Sequence, residues 1–322
     1  MIAAEVIAKP QLTEAELTKQ NLDEVFLRFE HVDKLNAELE ASYRSGVLRG
    51  KPRHLVIFGD SGAGKTRLLE KFAARYPRVE LPDRTLIPVL FVTMPSNPTP
   101  RKIVRSILTA LGSPFANKGE DEDQLKHLQK LCEKCEVNLI LMDEVSHLVD
   151  RGREKTHYKF GDALKEVVDS IKIPVVLSGI PRLRRLFEVN EQLRGRFGRR
   201  RHIKPFSLSQ RDMAISFRRA VGTFQSKLLP LGTIDLTTKE VLPRVLFASN
   251  GLLRPIVEIL KEAADLGFAS SKREINLAKL EKAFRNVVWD EAPDERNPFS
   301  AKFNFLPLTG SGEPYAIPQR DR

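Results

Sequence analysis

One octapeptide, Gly59-Asp60-Ser61-Gly62-Ala63-Gly64-Lys65-Thr66, constrains this chain more than any other feature. It matches G-x-x-x-x-G-K-[ST] in full. It also stands where that pattern has structural meaning, after an apolar strand at His54–Phe58 and at the start of a helical stretch, Lys65–Tyr76, stopped by Pro77. Glycines let such a loop turn tightly, so that backbone N–H groups face inward on phosphates. The helix N-terminus adds the positive end of its dipole. Lys65 then reaches the β- and γ-phosphates, and the Thr66 hydroxyl ligates Mg²⁺. A Gly-rich turn with a chance lysine would lack the flanking strand and helix. The expected cofactors are ATP and Mg²⁺.

Strand and helix signals alternate from there. Pro88–Thr93, Val137–Met142, Pro174–Ser178 and Arg201–Phe206 read as further strands, with helices at Pro100–Leu111 and Tyr158–Ile171. Apolar strands separated by helices predict an α/β fold, a parallel sheet covered on both faces. After Phe206 the strand signals stop, and Asp212–Phe224, Thr238–Ser249, Leu253–Leu266 and Leu277–Val288 read as a helical bundle punctuated by Gly251 and Gly267. Residues 1–50 are expected to be a helical N-terminal extension, 51–207 the nucleotide-binding α/β domain and 208–291 a small helical lid. The Pro-, Gly- and Ser-rich residues 292–322, with isolated aromatics, are expected to form a flexible tail.

A second motif fits the first. The run Asn138-Leu-Ile-Leu-Met ends in Asp143-Glu144, seventy-eight residues after Lys65. At the tip of a buried strand, Asp143 would hold Mg²⁺ and Glu144 would polarise the attacking water. Ser178, at the end of the next strand, is placed to hydrogen-bond that water or the γ-phosphate, although ordinary Ser-Gly turn chemistry explains it nearly as well. Two arginine groups follow. Arg196, with Arg194 as the alternative, precedes the last strand and is a candidate to neutralise transition-state charge on a neighbouring subunit's nucleotide. Arg199, Arg200 and Arg201 follow at once, so a solvated basic cluster is the plainer explanation. Arg254 sits one turn into a lid helix, suited to reach the nucleotide when a lid closes.

The formal net charge is +11, which points to a polyanionic partner or simply to solubility. No apolar run reaches the roughly 18 residues that a membrane span needs. The N-terminus lacks a signal or transit pattern, so the protein is expected to be cytoplasmic and without a membrane partner. Cys132 and Cys135 form a C-x-x-C pair with no second pair to complete a zinc site. With Leu125 and Leu128 they fall on one apolar helix face, where cysteine is an ordinary buried residue.

Together these motifs resemble an AAA+ ATPase over about residues 50–290. Within that class the chain is most similar to the TniB/TnsC branch of transposition regulators. The likeness rests on Gly59-Asp-Ser-Gly-Ala-Gly-Lys-Thr-Arg67, Asp143-Glu-Val-Ser-His147-Leu148, Ile173-Pro-Val-Val-Leu-Ser-Gly-Ile-Pro181 and Leu193-Arg-Gly-Arg-Phe197, with Asn297-Pro-Phe299 near the C-terminus. Ser146 departs from the family's usual glutamine before the histidine. The resemblance adds Arg67 to the nucleotide-binding residues. It implies an ATP-dependent ring or helical filament on duplex DNA, of six or seven subunits per turn. Such an assembly recruits a DDE-type transposase to a target chosen by a factor of the TniQ/TnsD type, in some systems within RNA-guided, CRISPR-associated transposons. Hydrolysis then releases or trims the assembly.

Candidate DNA contacts are Thr99, Arg101, Lys102 and Arg105 around the helix after the second strand, and Arg151, Arg153 and Lys155 after Asp143-Glu144. Lysine and arginine on phosphates give affinity without sequence preference, and a solvated helix or loop surface explains the same residues. Two other readings stand beside this one. A replication-initiator or clamp-loader-like ATPase would share the core motifs, but no winged-helix signal follows the lid. A nucleotide-dependent protein–protein switch would need no DNA contact.

Overall fold

The computed structural model describes residues 12–96, 99–148 and 154–316. The chain divides into two compact units, one of residues 28–204 and one of 12–27 with 205–316.

The first unit is built on a five-stranded parallel sheet. Its strands are β1 (Leu55–Gly59), β2 (Val89–Thr93), β3 (Leu139–Asp143), β4 (Val175–Gly179) and β5 (Arg199–Ile203), in the order β2-β3-β4-β1-β5. Every residue of β1, β3 and β4 is buried. That is why these segments read as unbroken apolar runs, since central parallel strands are covered on both faces. At the edge, β5 exposes four of its five residues, and its three arginines suit an unpaired strand flank. All C-terminal strand ends lie along one side of the sheet. The chain leaves β1 for the far edge at β2, and the crevice at such a reversal is where α/β folds bind ligands.

Helices α2 (Glu30–Val47), α3 (Lys65–Ala73), α4 (Pro100–Ala110), α5 (Asp121–Lys134) and α6 (Glu154–Ile171) flank this sheet, followed by the short α7 (Arg184–Val189) and α8 (Glu191–Arg196). Thr99 caps α4, its hydroxyl accepting from the Lys102 N–H at 3.3 Å, and Pro100 follows at the first turn. Ile103, Ile107 and Leu108 turn its apolar face into the core. Leu128, Cys132 and Cys135 are buried with them, and burial raises the Cys132 thiol to about 12. At six residues each, α7 and α8 are too short for periodicity to announce them.

The second unit holds α1 (Glu14–Glu24), α9 (Arg211–Ser226), α10 (Leu242–Ser249), α11 (Leu253–Phe268) and α12 (Leu277–Val287). Phe217, Phe224, Ile256, Leu260, Leu280 and Phe284 form its core. Two sequence expectations are corrected here. The expected extension of residues 1–50 is not continuous over its described part, 12–50, because Val25 to Phe29 is not helical and separates α1 from α2. Leu22 of α1 is buried in the helical core, and Lys19–Asp265 (3.0 Å), Asp23–Lys261 (2.6 Å) and Glu14–Arg273 hold α1 there.

Nor are residues 292–316 a loose tail. Phe299, Phe303 and Leu308 are buried in the same core, and Arg296 pairs with Glu313 at 2.6 Å. Arg244 donates to the carbonyls of Pro298 and Ser300, and Tyr315 to that of Ala248. Aromatics spaced irregularly along a Pro-rich segment carry no period, yet Phe299 and Phe303 enter the helical core and Tyr315 packs against it, while Phe305 stays exposed. Among the described residues no helix is long and apolar enough to cross a membrane.

Candidate functional site

The loop from Gly59 to Thr66 joins β1 to α3 and wraps the Lys65 side chain. Gly62 and Gly64 have φ of 82° and 90°, a region where a Cβ would be strained. That conformation lets the loop close, with the Ala63 N–H donating to the Asp60 carbonyl at 3.1 Å. Lys65 is buried, and its ammonium donates to the carbonyls of Gly59 (2.8 Å) and Asp60 (2.9 Å). A buried cation ringed by loop backbone at a helix N-terminus is built to receive phosphate oxygens. Arg67, the third residue of α3, is half-buried.

β3 delivers the carboxylates. The Thr66 hydroxyl donates to one Asp143 oxygen at 2.6 Å. Asp143 is only 1% exposed, and its other oxygen has no hydrogen-bond partner. A buried carboxylate with half its acceptors unused is costly unless something fills them. One carboxylate beside one hydroxyl suits a hydrated Mg²⁺ whose remaining ligands are water and phosphate. Among the described residues no group of three or more acidic, His or Cys side chains could cage a metal alone.

The adjacent Glu144 is half-buried and sits at φ 57°. A non-glycine residue there costs of order 1 kcal/mol or more, and such strain gathers at active sites. Sequence pattern carries no sign of it.

Ser178 joins this group. It pairs with Ile57 of β1, one step beyond Leu177, which pairs with Met142 of β3. It is fully buried, and its hydroxyl has no partner. The neighbouring Gly179 admits no side chain, because an added Cβ would lie 2.3 Å from the Ser146 hydroxyl. That hydroxyl accepts from the Ile180 N–H at 2.6 Å. Ser146, where the sequence departs from the family's usual glutamine, therefore ties the turn after β3 to the end of β4. A bulkier glutamine there would need a different arrangement. The side chains of His147 and Leu148 lie outside the described residues.

Arg196 ends α8, three residues before Arg199, which pairs with Leu55 at the start of β1. The P-loop begins at the other end of that strand, roughly 13 Å away at about 3.3 Å per residue. Arg196 thus lies along the sheet side opposite its own phosphate loop. It forms a two-point ion pair with Asp169 of α6, at 2.8 and 3.0 Å. Arg194 bonds Glu191 within its own helix at 3.2 Å. The buried Asn190 sets the approach of α8, accepting from the Leu193 N–H at 2.9 Å and donating to Asp162 of α6 at 2.9 Å. Neither Asn190 nor Asp169 was readable as a partner, since each acts across some thirty residues of sequence. Arg199 and Arg201 pair with Glu38 of α2, and Arg200 lies over the Phe187 ring. Arg254, in the helical unit, is exposed in the first turn of α11.

Of the expected DNA contacts, Arg101 is engaged within the protein, 2.6 Å from Asp121 and donating to the Gly119 carbonyl at 2.7 Å. Lys102 and Arg105 are half-buried on α4, and Thr99 is exposed. Arg151 and Arg153 lie outside the described residues, as does the side chain of Lys155.

Comparison with known proteins gives a consistent outcome. The profile described as the bacterial TniB protein matches residues 19–207. No curated protein matches the chain. Among solved structures, Cdc6p from Pyrobaculum aerophilum is similar at 17% identity and a TM-score of 0.62, over 86% of this chain and 73% of that one. The Aeropyrum pernix ORC1 protein in complex with DNA is similar at 18% identity and a TM-score of 0.59, over 84% and 69%. The Aeropyrum pernix ORC2 protein in ADPNP and ADP complexes reaches 15% and 0.57, over 82% and 71%. At these identities the likeness establishes the fold, which is that of AAA+ ATPases.

Proposed function

The chain belongs to the TniB family, and from that premise we propose that it is an ATP-switched assembly factor for DNA transposition. It oligomerises on duplex target DNA and links a target-selection protein of the TniQ/TnsD type to a transposase. Hydrolysis of ATP to ADP and phosphate ends the assembly.

One observation carries the nucleotide half of this reading: the Thr66 hydroxyl 2.6 Å from the buried Asp143, at the mouth of a complete P-loop. Lys65 binds the β- and γ-phosphates, with loop N–H groups around them. Arg67 completes the nucleotide contacts within this unit. Thr66 and Asp143 would hold Mg²⁺, which would neutralise phosphate charge. Glu144 accepts hydrogen-bonding from the attacking water and orients it. The unpartnered Ser178 hydroxyl bonds that water or the γ-phosphate. Arg196, turned away from its own loop, acts on the nucleotide of the next subunit, and such a trans arginine is worth about 10³–10⁵ in rate in related GTPases.

Support for the DNA half is the family, the formal net charge of +11 and the fold shared with a protein solved on DNA. Lys102, Arg105 and Thr99 of α4 and the segment of Arg151, Arg153 and Lys155 are the proposed phosphate contacts. The test is duplex DNA binding with and without ATP, at two salt concentrations. Binding that needs ATP and weakens steeply with salt is expected. Nucleotide binding without any DNA binding would overturn this half and favour a protein–protein switch.

A further inference from the structure

The edge strand β5 leaves one side of its backbone open. Arg199 to Ile203 pair with Leu55 to Gly59 of β1, and among the described residues no strand pairs beyond them. Carbonyl directions alternate along a strand. The Ile203 carbonyl faces β1, since a Cβ added at Gly59 would lie 3.0 Å from its oxygen. Arg199 and Arg201 therefore face β1 too, and the N–H and C=O groups of Arg200 and His202 face outward. The Arg200 carbonyl accepts from the Arg201 guanidinium at 3.1 Å, so one side chain already supplies a donor to this edge.

A hollow of about 470 Å³ runs along the same edge. It touches both Arg201 and His202, whose side chains point to opposite faces, so it lies beside the strand rather than on one face. Helix α2 forms the other wall with Lys34, Glu38 and Ala41, one helical stripe, and the buried Leu35 beneath them. Lys34 to Ala41 covers about 10 Å of helix at about 1.5 Å per residue. Three extended residues span the same length at about 3.3 Å each.

The groove is positive. Arg199 and Arg201 share the single carboxylate of Glu38, which leaves one positive charge over. Arg53, also in the lining, is exposed and has no ion-pair partner among the described residues, which adds a second. Lys34 is neutralised by Glu30 at 2.6 Å.

We propose that this groove takes an extended acidic segment of a partner protein as an added strand on β5. The proposal stands apart from the nucleotide and DNA readings, because none of these residues belongs to either site. An edge of N–H and C=O groups calls for a partner with both acceptors and donors, and a peptide backbone has both. A phosphodiester backbone offers acceptors alone, so it would leave the Arg200 and His202 carbonyls unmatched. Carboxylates on the added strand meet Arg53 and Arg201. As Arg201 turns to them, the Arg200 carbonyl is freed for a peptide N–H. Small Ala41 on the α2 wall leaves room for that backbone.

The experiment is fluorescence anisotropy of the full chain with a labelled peptide of about eight residues alternating glutamate and valine, long enough to cover β5. Hydrogen exchange read by mass spectrometry follows residues 199–204 in the same samples. Saturable binding with slower exchange over 199–204 is expected. Arg53→Glu should weaken binding about tenfold, an attraction turned into a repulsion, and leave affinity for a fluorescent ATP analogue at the parent's value. The same peptide with alternate amides N-methylated keeps its charge and loses donors, and it should bind the unaltered protein about tenfold more weakly. Absent binding, unchanged exchange over 199–204, or equal binding of the N-methylated peptide or of a lysine–valine peptide overturns the proposal. A single-stranded oligonucleotide that displaces the peptide and slows exchange over 199–204 overturns it in favour of nucleic acid. Exchange there that slows with protein concentration alone overturns it in favour of a second copy of the chain.

Discussion

Asp143→Asn should move the fold and the ligand in opposite directions. The buried carboxylate has one protein hydrogen bond, from Thr66 at 2.6 Å, and an oxygen with none. Without nucleotide, that arrangement leaves a charged group poorly compensated at 1% exposure. Asparagine keeps the volume and an acceptor for Thr66 while removing the charge. An unsatisfied buried group costs about 1–3 kcal/mol, more when charged, so the nucleotide-free α/β unit should gain roughly 1–2 kcal/mol. At about 2–4 °C per kcal/mol for a unit of this size, its melting temperature should rise by roughly 2–8 °C. The parent should in turn gain about 2.7 kcal/mol from Mg²⁺-nucleotide at one hundred times its Kd, and the variant should lose most of that gain. Thermal denaturation with nucleotide alone, Mg²⁺ alone and both together measures each quantity. A variant that melts lower without ligand, or that keeps the full Mg²⁺-dependent gain, would refute the reasoning about the unfilled oxygen.

Other expectations follow from the same structure. Glu144→Gln should bind ATP with the parent's affinity and stall turnover, so its complexes on DNA should outlast the parent's in a dissociation assay; parent-like turnover would remove Glu144 from the catalytic role. Folding lowers the pKa of His54 to about 4 from an ordinary value near 6.5. The unfolded chain therefore binds the extra proton as pH falls, and stability present above about pH 6.5 is lost toward pH 4. About 2 kcal/mol should disappear between pH 7 and pH 5, and the urea midpoints of His54→Asn should shift less over that interval. Changing both Lys102 and Arg105 to Glu should weaken binding to all duplex sequences alike and lower the salt slope by about 0.9 per lost contact. Parent-like affinity and slope would move the DNA surface elsewhere.

The contiguous motifs were legible because their chemistry is local. Gly59–Thr66 and Asp143-Glu144 each fall at a strand end, and both reach one side of the sheet as the apolar runs before them predict. Ser178 was legible as a position, but its burial and unpartnered hydroxyl were not. What escaped the sequence is nonlocal. Asp169 and Arg196 are 27 residues apart and meet only because α6 and α8 pack against each other. The role of Ser146 depends on the closeness of Gly179, which no spacing rule encodes. Residues 11–50 read as continuous helix because no proline or glycine interrupts them before Gly46. Their two apolar faces belong to different cores, and Val25 to Phe29 breaks the helix between them. Composition also misled at the C-terminus, where proline and glycine suggested looseness while Phe299, Phe303 and Leu308 carry the burial.

The central claim is that nucleotide bound at Lys65 drives assembly on duplex DNA. Negative-stain imaging of the chain with duplex DNA and a non-hydrolysable ATP analogue, beside Lys65→Ala under the same conditions, tests it most directly. Rings or filaments should form on DNA with the parent and the analogue, and neither without nucleotide nor with Lys65→Ala. Equal assemblies in all three samples, or bare DNA in all three, would contradict the account.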